Sequence, residues 1–400
     1  MKKAIYIIFS LLYPLVISGQ QVTDYIIKAK ALNESGFPEK SIELLSASII
    51  EKSDSRLLTE RAEAYLLKGD YQSAIRDFNE ANTINPSSGE FGLSRVYALK
   101  GDAATSLYHL ELNLKSSFKK SEKEIMLDPS FGAVENTPAW RQFWKKEWYS
   151  QFEKSITEIE YYTSSGKTDE ALIILESLKK NYAGESETRY AESLVKIASG
   201  KINEAAGILT QLTGSDPANE KFLRTLARVQ VAASNYAGAS VSYSELLGSG
   251  VADAELFIQR AEAYRKTGET SKALADIEKY LSFYPGNRKA LSLAGKTEAE
   301  SGDNLKALKY FSENLQLHPS DPECYTDRAD SYFMAKSWEF AIKDYSMALD
   351  LDPRNADAWL NMGVSNYSTG RTEEACHDFR KAFALGSKRA SELISKNCIK

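Results

Sequence analysis

Residues 355–384 read NADAWLNMGVSNYSTGRTEEACHDFRKAFA, and their spacing decides the fold. Apolar side chains recur at helical intervals through Ala358, Trp359, Leu360 and Met362, and Gly363 is small enough to let a second helix approach closely. Gly370 predicts a left-handed residue closing the first helix, with a second helix running through Ala375 and Phe379 to Ala382. The stretch is one copy of a series. Ala171, Ala205, Ala239, Ala273, Ala307, Ala341 and Ala375 stand 34 residues apart without a slip. Gly166, Gly200, Ser234, Gly268, Gly302, Lys336 and Gly370 precede them by five positions, and Leu175, Leu209, Tyr243, Ile277, Phe311, Tyr345 and Phe379 follow by four. Asn219, Asp253, Asn287, Asp321 and Asn355 recur on the same period as N-cap candidates. Pro217, Pro285, Pro319 and Pro353 share one position of the frame, between hairpins. Each unit is thus a helical hairpin that cannot bury its apolar face alone and stacks on its neighbours.

The pattern resembles the tetratricopeptide repeat, whose signature is W-x₂-L-G-x₂-Y…A-x₃-F…P. Trp359, Met362, Gly363, Ala375 and Phe379 carry the likeness in one unit, and Tyr325, Ala329, Tyr332, Ala341, Tyr345 and Pro353 in another. Leu58, Ala62, Tyr65, Gly69, Ala74, Phe78, Ala81 and Pro86 carry it in a third. The resemblance implies an all-α, right-handed solenoid of about ten helix-turn-helix repeats. Three repeats fall within residues 20–120 and seven within 152–389, with a capping helix over 390–400. Ser106 stands at the alanine position of the third unit, and Ser155 and Arg189 replace large residues in the fourth and fifth. The resemblance also implies that first helices line a concave groove holding a protein or extended peptide. The second, fifth, ninth and twelfth residues of successive units then nominate Lys221, Arg224, Arg228, Arg265, Lys289, Lys296, Phe333 and Tyr367. The ninth unit turns acidic there, with Glu323 and Asp330.

Residues 121–151 leave the period. Trp140, Trp144, Trp148 and Phe152 recur every four residues and predict one face of a helix. This aromatic helix either seals the first array and joins it to the second, or offers Trp140, Trp144 and Trp148 as a docking surface. At the other end, Gly386 closes the last repeat and the chain continues as a polar amphipathic helix. In an antiparallel hairpin centred near residue 387, Cys376 and Cys398 lie eleven residues either side of the turn and should face each other. A disulfide between them closes a loop worth about 3 kcal/mol. Exported bacterial members of the family are similar here, ending in an Ala-Cys helix and a late cysteine. Cys324 is left as a lone thiol.

Lys2 and Lys3 precede an apolar run from Ala4 to Ile17 and the small residues Ser18 and Gly19, so residues 1–19 read as a secretory signal. Its removal takes two lysines and no acid, moving the net charge from −5 to −7. No second long apolar run follows, so no transmembrane segment is expected after cleavage. The expected location is the periplasm of a Gram-negative bacterium, or outside the cell.

With 50 Lys and Arg against 55 Asp and Glu, the chain has no excess positive charge for nucleic acid. His109, His318 and His377 lack zinc-ligand spacing. Cys376-His377-Asp378 lines up a nucleophile, a base and an acid in sequence, but adjacent helical residues diverge by about 100°. Gly166-Lys167-Thr168 lacks the upstream glycine of a phosphate loop, having Tyr161 there. The reading is a non-enzymatic scaffold or adaptor of the cell envelope, without cofactor or metal, working with a protein partner in a membrane-associated complex. The alternative is an accessory protein of polysaccharide export, gripping an anionic glycan with Arg224, Arg228, Lys289 and Lys296.

Overall fold

A computed structural model describes residues 19–398, which form 23 α-helices and one short 3₁₀ helix. The expected export signal lies, but for Gly19, outside the described residues. Among the described residues there is no strand, and no helix is long and apolar enough to cross a membrane. Ten helix pairs follow one another in the anticipated frame, from Gly19–Glu34 with Pro38–Glu51 to Ala356–Ser368 with Thr372–Ala384. The described residues divide into two compact units, one up to residue 201 with 247–253, the other 202–246 with the residues from 254 onward.

The quoted stretch shows why each pair forms. The Asn355 side chain accepts from the backbone N–H of Ala358 at 3.0 Å and starts the helix. At its end Gly370 takes φ 80°, and the Arg371 N–H returns to the Asn366 carbonyl at 2.9 Å. A Cβ on Gly363 would lie 2.7 Å from the Phe379 ring, so only glycine allows this crossing. Phe379 and Ala375 are buried there. Asn219, Asn287 and Asp321 cap their helices in the same way. Asp253 does not, because the helix Glu255–Lys266 starts from Ala254, whose methyl cannot accept a hydrogen bond.

The aligned turn residue adopts the left-handed region in every one of the seven frames, including Ser234 (φ 57°) and Lys336 (φ 55°). A Cβ in that region costs about 1–2 kcal/mol. Lys336→Gly is therefore expected to stabilise the second unit by about 1 kcal/mol, read as a higher urea midpoint at unchanged slope.

Residues 121–150 belong to the first unit. The anticipated continuous aromatic helix is broken: Pro138–Phe143 stops at Trp144, and a new helix starts at Gln151. A reciprocal capping box between Ser150 and Glu153 makes that fresh start and puts Phe152 on a different helix. Trp140 and Phe143, each 6% exposed, enter a core with Ala98, Leu110, Leu114, Ile125, Phe131 and Val134. Trp144 and Trp148 pack on the same core, and the Trp148 indole donates to the Phe143 carbonyl at 3.0 Å. Trp140 is therefore buried against the third repeat, while Trp144 and Trp148 pack on it with part of each ring left exposed. The geometry that turns Trp140 inward is the short helix, whose length lets the chain fold back over the exposed end of the preceding pair.

In the second unit the helix Lys388–Asn397 covers the last repeat with Ala390, Leu393 and Ile394. Cys376 and Cys398 are joined, with Cα atoms 5.6 Å apart. Cys324 is a buried free thiol, pushed up to about 11 mainly by burial.

Candidate functional site

Two consecutive first helices of the second unit, Arg288–Ser301 and Pro322–Met334, flank a cleft of about 380 Å³. Asn304 and Phe311, from the helix Asn304–Leu317, line it as well. Lys296, Ala299 and Asp330 stand on its walls at nominated groove positions, joined by Glu300, Asp327, Ser331 and Met334. The packing that opens the cleft is local. Gly295 passes over the Phe311 ring so closely that a Cβ would lie 2.3 Å from it, which sinks Phe311 between the helices.

The charges are arranged in pairs. Lys296 Nζ lies 3.0 Å from Asp327 Oδ1 and 4.0 Å from Glu323. The Ser292 hydroxyl donates to the other oxygen of Asp327. Asp327 is 6% exposed, and burial holds its carboxyl above the usual range despite these two partners. Arg265, from the preceding unit, reaches Glu300 at 2.5 Å. Asp330 differs from both. Its Oδ1 accepts from the Tyr345 hydroxyl at 2.5 Å and from the Asn361 amide at 3.5 Å, both neutral donors. Asp330 has an exposed flank, yet the protein around its carboxyl, with Asp327 nearby, pushes it upward. The Ser331 hydroxyl is buried without a hydrogen-bond partner among the described residues. Among those residues no group of three His, Cys, Asp or Glu is placed to hold a metal ion.

The other nominated residues scatter in environment. Lys221 is half-buried, and Arg224 is held by Glu220 one turn back at 2.7 Å. Arg228 and Lys289 are exposed. Phe333 is half-buried, its ring 5.4 Å from Trp338 and 6.5 Å from Tyr345, so it serves the core of its own repeat more than the groove. Tyr367 is 45% exposed. Arg224, Arg265 and Lys296 each meet a carboxylate. Asp327 and Ser331 escaped nomination because they are the sixth and tenth residues of their unit, one past the favoured positions. Lys296 reaching across to the next helix is what brings Asp327 into the cleft.

A family model described as TPR repeat matches residues 329–370, and one described as tetratricopeptide repeat matches residues 55–88 and 356–385. No curated protein matches the chain. Among solved structures, a tetratricopeptide repeat protein from Parabacteroides merdae is 20% identical with a TM-score of 0.49, over 62% of this chain and 99% of that one. A chain of the APC/C hetero-tetramer Cut9-Hcn1 is 12% identical with a TM-score of 0.42, over 93% and 89%. YrrB, described as a TPR protein with an unusual peptide-binding site, is 17% identical with a TM-score of 0.36, over 47% and 97%. None of these likenesses extends beyond the fold.

Proposed function

We propose that this chain, a tetratricopeptide-repeat protein, is a non-enzymatic scaffold of the cell envelope that holds an extended protein segment against first helices of its second unit. The observation that carries the reading is the cleft between Arg288–Ser301 and Pro322–Met334. It joins a highly exposed apolar side chain, Met334, to a carboxylate that meets only neutral donors, Asp330. An extended chain supplies both complements, apolar side chains and hydrogen-bond donors, along a shallow track. The apolar run after Lys2 and Lys3 supports export, and so does the Cys376–Cys398 pair, since such bonds persist in oxidising compartments. The anionic-glycan reading has weaker support, because two of its four cations, Arg224 and Lys296, already lie against carboxylates.

A photo-reactive amino acid at Met334, compared with one at Phe340 on the adjoining second helix, tests this in intact cells. Both side chains are well exposed, at 76% and 61%. The expected result is a discrete protein adduct from position 334 that Asp330→Lys abolishes. Equal labelling from both positions, or an adduct indifferent to Asp330→Lys, argues against a site in this cleft.

A further inference from the structure

We infer that the cleft is a pocket for one lysine side chain of the bound segment, an inference that rests on the scaffold reading above. Its walls match the two parts of that side chain. Phe311, Ala299 and the exposed Met334 offer an apolar track for four methylenes. Acceptors for the ammonium group stand beside it. Asp330 has no lysine or arginine within ion-pair distance among the described residues, and both of its donors address Oδ1, so Oδ2 takes neither. Ser331, 4% exposed, adds a buried hydroxyl that has no partner and lies on the same wall.

The charges favour an incoming cation. Glu300 is matched by Arg265, and Lys296 is shared by Asp327 and Glu323, so the wall carries more carboxylate than cation. Burial first, and then the neighbouring Asp327 charge, disfavour ionised Asp330 against the opposing Tyr345, Asn361 and Lys296, and the charge of a bound ammonium offsets that cost. A single open carboxylate oxygen suits a point charge better than the two-pronged guanidinium of arginine. The cleft's volume of about 380 Å³ accommodates a side chain with its flanking backbone and is at the small end for ligand pockets.

The test uses the full chain and arrays of acetylated, amidated nonapeptides, randomised except at a central lysine, arginine, norleucine or glutamate. A fifth array has norleucine at the centre and a free amino terminus. The expected result is at least tenfold more binding to the central-lysine array than to the acetylated norleucine array. That preference should shrink at high salt and fall to less than threefold in Asp330→Asn. Met334→Ser, at an exposed position, should weaken binding to the lysine array without disturbing the buried network, which keeps the test valid if Asp330→Asn unfolds. Binding without lysine preference, or a preference that survives Asp330→Asn or Met334→Ser, overturns the lysine pocket and leaves the scaffold standing. Preference for the free-amine array over the lysine array overturns it in favour of a chain terminus. Failure of every array to bind overturns both readings.

Discussion

Arg328→Met lowers the stability of the second unit by about 3–5 kcal/mol, the cost of leaving a buried carboxylate without its partner. Asp344 is 3% exposed and receives two bonds from Arg328, at 2.6 Å from Nε and 2.9 Å from Nη2. The guanidinium is itself held above its ordinary range, first by this hydrogen bonding. Removing the arginine leaves the buried Asp344 carboxyl without its hydrogen-bonding partner, which costs stability. Urea unfolding of the full chain, with hydrogen exchange in peptides spanning 322–351, reads the loss and locates it. The double variant Arg328→Met with Asp344→Leu should recover most of it, because two apolar side chains need no partner. A single variant costing less than 1 kcal/mol would mean that water reaches the pair and screens it.

The same pair recurs. Arg61 with Asp77, and Arg260 with Asp276, repeat the two-pronged geometry, and their arginines also reach Ser46 and Ser244 of the preceding helix pair. In the alanine frame each arginine lies thirteen positions before Ala74, Ala273 or Ala341, and each aspartate three after. The eighth unit has Ala294 and Tyr310 at those positions, so the chain already contains an uncharged version of the joint. This recurrence bears on how much the sequence discloses. Helix pairs, turns and the capping helix are legible because a small alanine, a left-handed turn and an aromatic filler each impose one residue type at one place. The arginine–aspartate joint is equally periodic, but opposite charges sixteen residues apart on different helices look like ordinary solvated surface. The cleft is harder still. Lys296 reads from the sequence as a groove residue, and nothing in its own helix indicates that Asp327 of the next repeat pairs with it. Trp140 and its neighbours illustrate the converse error, since a four-residue aromatic spacing does not reveal that Ser150 and Glu153 restart the helix.

Glu60→Gln should make the first unit more stable above neutral pH and remove a slope that the native chain shows between about pH 4.5 and 7. Glu60 sits on Ser55–Leu67 and faces Asn33, whose amide donates to it at 3.4 Å. Burial is the main cause that raises its carboxyl from 4.5 to about 7; the Glu63 and Glu34 charges add to this, while Lys30 and Asn33 oppose it. The folded chain therefore holds this proton more tightly than the unfolded chain does. Between the two values the native state binds more protons, so stability falls as pH rises, and the full penalty is present above pH 7. A shift of this size corresponds to about 3 kcal/mol, an upper figure for a half-buried group. The other perturbed carboxylates of the unit, among them Glu39, Asp54, Asp70, Asp102 and Glu153, are lowered and lose their contribution only in more acid solution. Taking the difference between native and Glu60→Gln chains cancels every group the two share. Unfolding free energies from urea titrations at pH 4.5, 6 and 8, with hydrogen exchange in peptides spanning 55–67, should show no gain at the first pH and the largest at the last. A gain that is the same at all three pH values would assign the effect to packing of the amide. No gain at any pH would place Glu60 in contact with water, with its neighbours' charges screened.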